Sequence, residues 1–111
     1  MNHRRLRCYE LLMCVARRLP AIIKSMPRGS YYLEDQLKRA LSSAVLNLSE
    51  GNGRRSIKER NRFFDISMAS IAETSAAIDL IAAYGYIPAC LQEELRDMLS
   101  HAYAIEMKLR R

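Results

Sequence analysis

The run Asn47-Leu48-Ser49-Glu50-Gly51-Asn52-Gly53-Arg54-Arg55-Ser56-Ile57-Lys58-Glu59 decides the fold, because it closes one helical pattern and opens another. Upstream, Leu33, Leu37, Ala40, Leu41, Ala44, Val45 and Leu48 recur at three- and four-residue steps. That period predicts a helix over 31–50 with one apolar face. Gly51 and Gly53 read as its stop, a glycine supplying the positive φ of a C-cap. Downstream, Ser56 and Glu59 have capping-box spacing, in which serine caps a free amide and the glutamate reaches back. A second helix is therefore predicted over 57–84, with Gly85 as its stop signal.

Working outward, Leu6, Tyr9, Met13, Ala16, Leu19 and Ile23 form a helical stripe over 4–26. Pro20 falls inside it and is expected to kink or split the helix. Residues 27–30, Pro-Arg-Gly-Ser, read as a connection. After Gly85, Pro88 suits the first turn of a fourth helix. There Leu91, Leu95, Met98, Ala102, Ile105 and Leu109 step by alternating fours and threes, a heptad seam. Lys108, Arg110 and Arg111 suit the negative end of that helix. Four helices with short connections and no β-alternation predict an all-α fold: an antiparallel up-down-up-down four-helix bundle, one domain spanning 1–111. The third helix carries small residues on several faces, among them Ser67, Ala69, Ser70, Ala72, Ala76 and Ala77. It is expected to pack on two sides, one its own bundle and the other a second subunit.

Composition narrows the function classes. The chain has 111 residues, 50% hydrophobic and 27% charged, enough for a core without staples. Cys8, Cys14 and Cys90 form no CxxC pair and no even framework, so neither a disulfide scaffold nor a zinc site is expected. The longest N-terminal apolar run is interrupted by Glu10 and closed by Arg17-Arg18, too short for a membrane span. The reading is a reduced, soluble, cytoplasmic protein without a membrane partner. Its net charge is +6, and arginine outnumbers lysine 14 to 4. Residues 1–28 hold seven bases against Glu10 alone, so the whole excess lies in the first quarter of the chain. Arginine's planar fork suits phosphate, and a basic stripe suits an anionic partner. The plainer alternative is a solvated surface.

The Gly51–Ser56 turn adds a second basic cluster: Arg54, Arg55, Lys58, Arg60 and Arg62. Free amides at a helix start, freed backbone and arginines together can hold an anion. No strand and no Gly-Lys-Ser/Thr precede the helix, which rejects nucleotide hydrolysis. The structural alternative is a tight turn in which Arg54 or Arg62 pairs with Glu50, a carboxylate misplaced at a helix C-terminus. Tyr31-Tyr32 beside Arg28, and Phe63-Phe64 beside Arg60 and Arg62, can stack bases or plug the core. Catalytic groups are sparse. His101 has Asp97 one turn before it, but neither histidine completes the Glu-x-x-His of di-iron bundles. No cofactor, metal site or enzymatic activity is expected. In an antiparallel bundle the turn lies at the same end as Arg4, Arg5 and Arg7. The candidate nucleic-acid-binding residues are accordingly Arg4, Arg5, Arg7, Arg54, Arg55, Lys58 and Arg62.

The motifs Leu33-x-x-Gln36-Leu37-x-Arg39-Ala40-x-x-Ser43, Asn47-Leu48-Ser49-Glu50-Gly51-x-Gly53-Arg54, Ser56-x-Lys58-Glu59, Arg62-Phe63, Ser70-x-x-Glu73 and Gly85-Tyr86-Ile87 run along nearly the whole chain. In them the chain resembles the 23S ribosomal RNA intervening-sequence proteins, whose turn pattern is close to Asn-Ile-Ala-Glu-Gly-x-Gly-Arg. The resemblance implies a bacterial four-helix bundle that assembles as a homopentamer, with no established enzymatic activity. It also implies distant kinship with the accessory protein of diversity-generating retroelements, a basic pentamer that binds reverse transcriptase and nucleic acid. Leu6-Arg7-Cys8-Tyr9 departs from the family's Leu-x-Val-Trp, and Pro20 and Pro88 are further departures. A basic oligomer binding RNA or DNA is the first functional expectation; a protein–protein scaffold is the alternative.

Overall fold

The computed structural model describes residues 2–111. Among them are four helices: α1 (His3–Ser25), α2 (Tyr31–Asn52), α3 (Ile57–Ala83) and α4 (Ala89–Leu109). The long dimension is 45 Å, set by the 27 residues of α3 at about 1.5 Å each. Among the described residues α1 packs on α2 and α4, and α3 packs on α2 and α4, while the diagonal pairs stay apart. That is the square up-down-up-down arrangement. Side-chain contacts fix the directions. Cys8 reaches the Ala102 carbonyl and Arg18 pairs with Glu94, so α1 and α4 are antiparallel. Ser67 bonds the Ala44 carbonyl and Ser43 meets Ser70, so α2 and α3 are too.

The helix ends follow the local chemistry. The Asn2 side chain accepts from the Arg5 amide at 2.9 Å, and Ser56 accepts from the Glu59 amide at 3.3 Å. The Glu59 carboxylate, read from sequence as reaching back to Ser56, instead faces Arg54 at 3.8 Å. Gly85 terminates α3 at φ +81°, with Tyr86 N–H donating to Ile81 O and Gly85 N–H to Ala82 O. Pro88 is the N-cap of α4 rather than its first residue.

Three expectations need correction. Pro20 does not split α1, which is helical without interruption from His3 to Ser25. Neither Gly51 nor Gly53 adopts positive φ: Gly53 caps α2 at φ −87°. Gly51 is buried within the helix, where an added Cβ would sit 2.7 Å from the Phe64 ring. Its glycine serves close approach rather than a left-handed turn. The core face of α1 is Cys8, Leu11, Leu12, Val15, Leu19, Ile22 and Met26. The stripe chosen from sequence lies mostly on the shoulder of that face, with Leu6 47% exposed. Both stripes satisfy helical spacing, and only the neighbouring helix decides between them.

The seam between α2 and α3 is polar as well as small. Ser43 and Ser70 hydroxyls are 2.7 Å apart, and Asn47 donates to the Ser43 carbonyl at 2.8 Å. Length and composition would let α3 cross a membrane, at a window mean hydropathy of 1.4. Its Ser67, Ser70 and Thr74 are buried against the bundle, which accounts for its apolar character as a core helix.

Candidate nucleic-acid interface

Antiparallel packing brings the start of α1, the end of α2, the start of α3 and the end of α4 to one end of the bundle. The Arg111 backbone is held on both sides by Asn61, at 2.6 and 3.1 Å, and Arg110 forks onto Asp65 at 2.5 and 3.2 Å. Arg4, Arg5 and Arg7 of α1 therefore share this end with Arg54, Arg55, Lys58, Arg60 and Arg62 of the turn. Lys108, Arg110 and Arg111 of α4 join them. These are eleven of the 18 bases, against four acids: Glu50, Glu59, Asp65 and the buried Glu106. The remaining seven bases and eight acids occupy the rest of the bundle. The excess charge is thus concentrated by position in space. Arg17, Arg18, Lys24 and Arg28 of the basic first quarter lie toward the other end.

The residues at this end differ in their freedom. Arg54 pairs with Glu50 at 3.2 Å and faces Glu59. This is the arrangement expected of a carboxylate at a helix C-terminus, and it commits Arg54 to the turn. Two guanidiniums lie over the half-buried Phe63 ring, with Arg54 Cζ 5.0 Å and Arg62 Cζ 4.5 Å from its centroid. Such cation–π contacts are worth about 0.5–1 kcal/mol each when exposed. Phe64, one residue on, is fully buried. The pair read together from sequence therefore splits into a core plug and a surface platform. Arg4, Arg7, Arg55 and Lys58 are exposed and make no ion pair among the described residues. Burial of the Arg110–Asp65 pair is slight, yet the fork raises the Arg110 pKa.

All the buried side-chain polar atoms that lack a partner among the described residues are at this end: Arg5 Nε, both amide atoms of Asn52, and Glu106 Oε1. A buried polar group left unpaired costs about 1–3 kcal/mol. The sequence reading missed Asn52, Glu106 and the C-terminal cations. The last were visible as Lys108, Arg110 and Arg111 but were assigned to the helix dipole alone.

Other sequence candidates lie elsewhere. Tyr31 and Tyr32, 70% and 72% exposed, sit at the opposite end with Arg28, so they do not join the arginine cluster. His101 and Asp97 are exposed on α4, and no third metal-binding side chain joins them among the described residues. Glu73 is exposed on α3, whereas Asp79 engages Gln92 at 2.9 Å and Arg96 at 3.6 Å.

The sequence profile of the 23S rRNA-intervening sequence protein family matches residues 4–109. The chain belongs to that family. Comparison with curated proteins finds no match.

Proposed function

We propose that this member of the 23S rRNA-intervening sequence protein family is a non-enzymatic, cytoplasmic nucleic-acid-binding bundle, engaging RNA or DNA with its basic end. The observation that carries the reading is the convergence of three chain segments at one end that holds eleven cations, most of them without ion-pair partners among the described residues. Exposed arginine and lysine suit phosphates, and the guanidinium planes of Arg54 and Arg62 over Phe63 suit the stacking of an unpaired base. Contacts through arginine and lysine to phosphates make this a binding of backbone and unpaired bases that depends weakly on sequence. We further propose a homo-oligomer of about five copies, as the resemblance implies. Five basic ends on one particle would bind a long polyanion with multivalent strength.

Binding measured against salt tests this. For a single strand the slope of log affinity on log salt is about −0.7 per phosphate neutralised. Arg55→Ala and Lys58→Ala should each flatten that slope by about 0.7, and Arg54→Ala by less, because Glu50 and Glu59 already hold it. The absence of any gel shift with RNA or single-stranded DNA at about 50 mM salt would sink the proposal. A scaffold without nucleic acid is the second reading. It is favoured by the outer face of α3, where Ile66 and Leu80 are 38% and 46% exposed beside Ala69, Ala72 and Ala76. Pull-downs that survive nuclease treatment would support it.

A further inference from the structure

Glu106 is fully buried although it flanks the α4 seam, one position past Ile105, rather than lying on it. Its Oε2 lies 3.0 Å from the Ser67 hydroxyl, which lies 2.7 Å from the Ala44 carbonyl. A hydroxyl has one proton. The carbonyl can only accept, and it makes the shorter contact, so the Ser67 proton belongs to Ala44. Oε2 can then bond Ser67 only by donating a proton of its own. The other oxygen, Oε1, is buried without any donor among the described residues, which suits the carbonyl oxygen of an acid and not the shared charge of a carboxylate.

Arg5 of α1 also has a buried Nε at this end, but no ion pair joins it to Glu106 among the described residues. From α1 comes the buried Cys8 thiol, which donates to Ala102 O at 3.4 Å and offers Glu106 no charge. From α2 comes the Ala44 carbonyl, reached through Ser67. From α3 come Ser67 and Asp65, and the Asp65 charge repels a carboxylate. The nearby cation, Arg110, is already engaged by Asp65 at 2.5 Å.

We propose that Glu106 is a neutral carboxylic acid in the folded bundle, the first donor of a chain Glu106–Ser67–Ala44 that ties α4 through α3 to α2, and that its ionisation loosens the last turns of α4. Burial, the largest cause, pushes its pKa from 4.5 up to about 8, against Ser67, which can turn its proton toward the carboxylate once Glu106 ionises, and with a smaller push from Asp65. Between those values the folded state holds a proton that the unfolded state has lost. Raising the pH across that window therefore favours unfolding, and the effect levels off above about 8. The unfolding equilibrium constant should rise by roughly three powers of ten over the window.

Two measurements decide it. The Glu106 side-chain carboxyl carbon, followed by NMR in the wild-type protein, should titrate near pH 8, and its transition should coincide with faster amide exchange, corrected for intrinsic rate, over 105–109. Glu106→Gln keeps a donor toward Ser67 but cannot ionise, so it should lose most of the decline in stability between pH 5 and 8. A Glu106 carbon titrating near 4.5, or a Glu106→Gln variant with the wild-type decline, would overturn the proposal. Should the variant fail to fold, the wild-type titration still decides.

Discussion

Replacing Gly51 by alanine sets two effects of opposite sign against each other. Gly51 lies within α2 at ordinary helical φ, where alanine is normally better by about 1 kcal/mol. Helix propensity alone therefore predicts a stabilised protein. The packing predicts the reverse. The new methyl would sit 2.7 and 2.8 Å from Phe64 Cε1 and Cδ1, and 3.3 Å from the Arg60 carbonyl. Carbon atoms rest at about 3.5–4.0 Å, so the ring must withdraw by nearly 1 Å. Phe64 is completely enclosed, and a close-packed interior gives it nowhere to go. Overpacking of this kind costs about 1–3 kcal/mol. The net expectation is a loss of up to about 2 kcal/mol, near 4–8 °C in Tm per kcal/mol for a small domain. Thermal and urea melts of Gly51→Ala, Phe64→Leu and the double variant measure it. The smaller leucine should relieve the overlap, so the double variant should be more stable than the sum of its parts by at least about 1 kcal/mol. A Gly51→Ala protein more stable than wild type, or strict additivity in the cycle, would refute the close-approach account.

Two further outcomes follow from the packing. Pro20 is exposed in an unbroken helix and forfeits one backbone hydrogen bond there. Pro20→Ala should raise stability by about 1–2 kcal/mol, the restored bond exceeding the entropy returned to the unfolded chain, as read by Tm. Burial, with Glu106 a lesser cause, pushes the Cys8 thiol up to about 12, whereas Cys14 and Cys90 are exposed. A thiol reagent at neutral pH should therefore label two cysteines quickly and the third only on unfolding; rapid labelling of all three would contradict the enclosed α1–α4 interface.

How far the sequence foretold this molecule depended on whether a residue's role was local. Ser56 and Gly85 ended their helices for reasons contained in a few residues of backbone chemistry, and both were legible. The antiparallel order was legible too, since short connections leave sequential helices no other neighbour. It placed Arg4, Arg5, Arg7, Arg54 and Arg55 together correctly. Gly51 was misread because its reason for being glycine is Phe64, thirteen positions on and in another helix. The core stripe of α1 was misplaced by one position because two adjacent apolar stripes fit the period equally. Glu106 was passed over because a glutamate inside a heptad reads as a solvent-facing position, and only Ser67 and Ala44 from two other helices make its burial intelligible.

The unequal closeness of the four helix pairs has a consequence for assembly in time. α2 and α3 pack most intimately, joined by the short connection 53–56 and zipped by serines, alanines and Gly51. Their contacts lie close along the chain, so the entropy of loop closure is small and this hairpin can condense early. The α1–α4 contact joins residues as far apart as Cys8 and Ala102, 94 positions along the chain, and α1 touches α2 least. α1 therefore gains most of its partners only when the chain's two extremities meet. The cationic end, assembled from both extremities and the central turn, is therefore complete only once α1 and α4 have met.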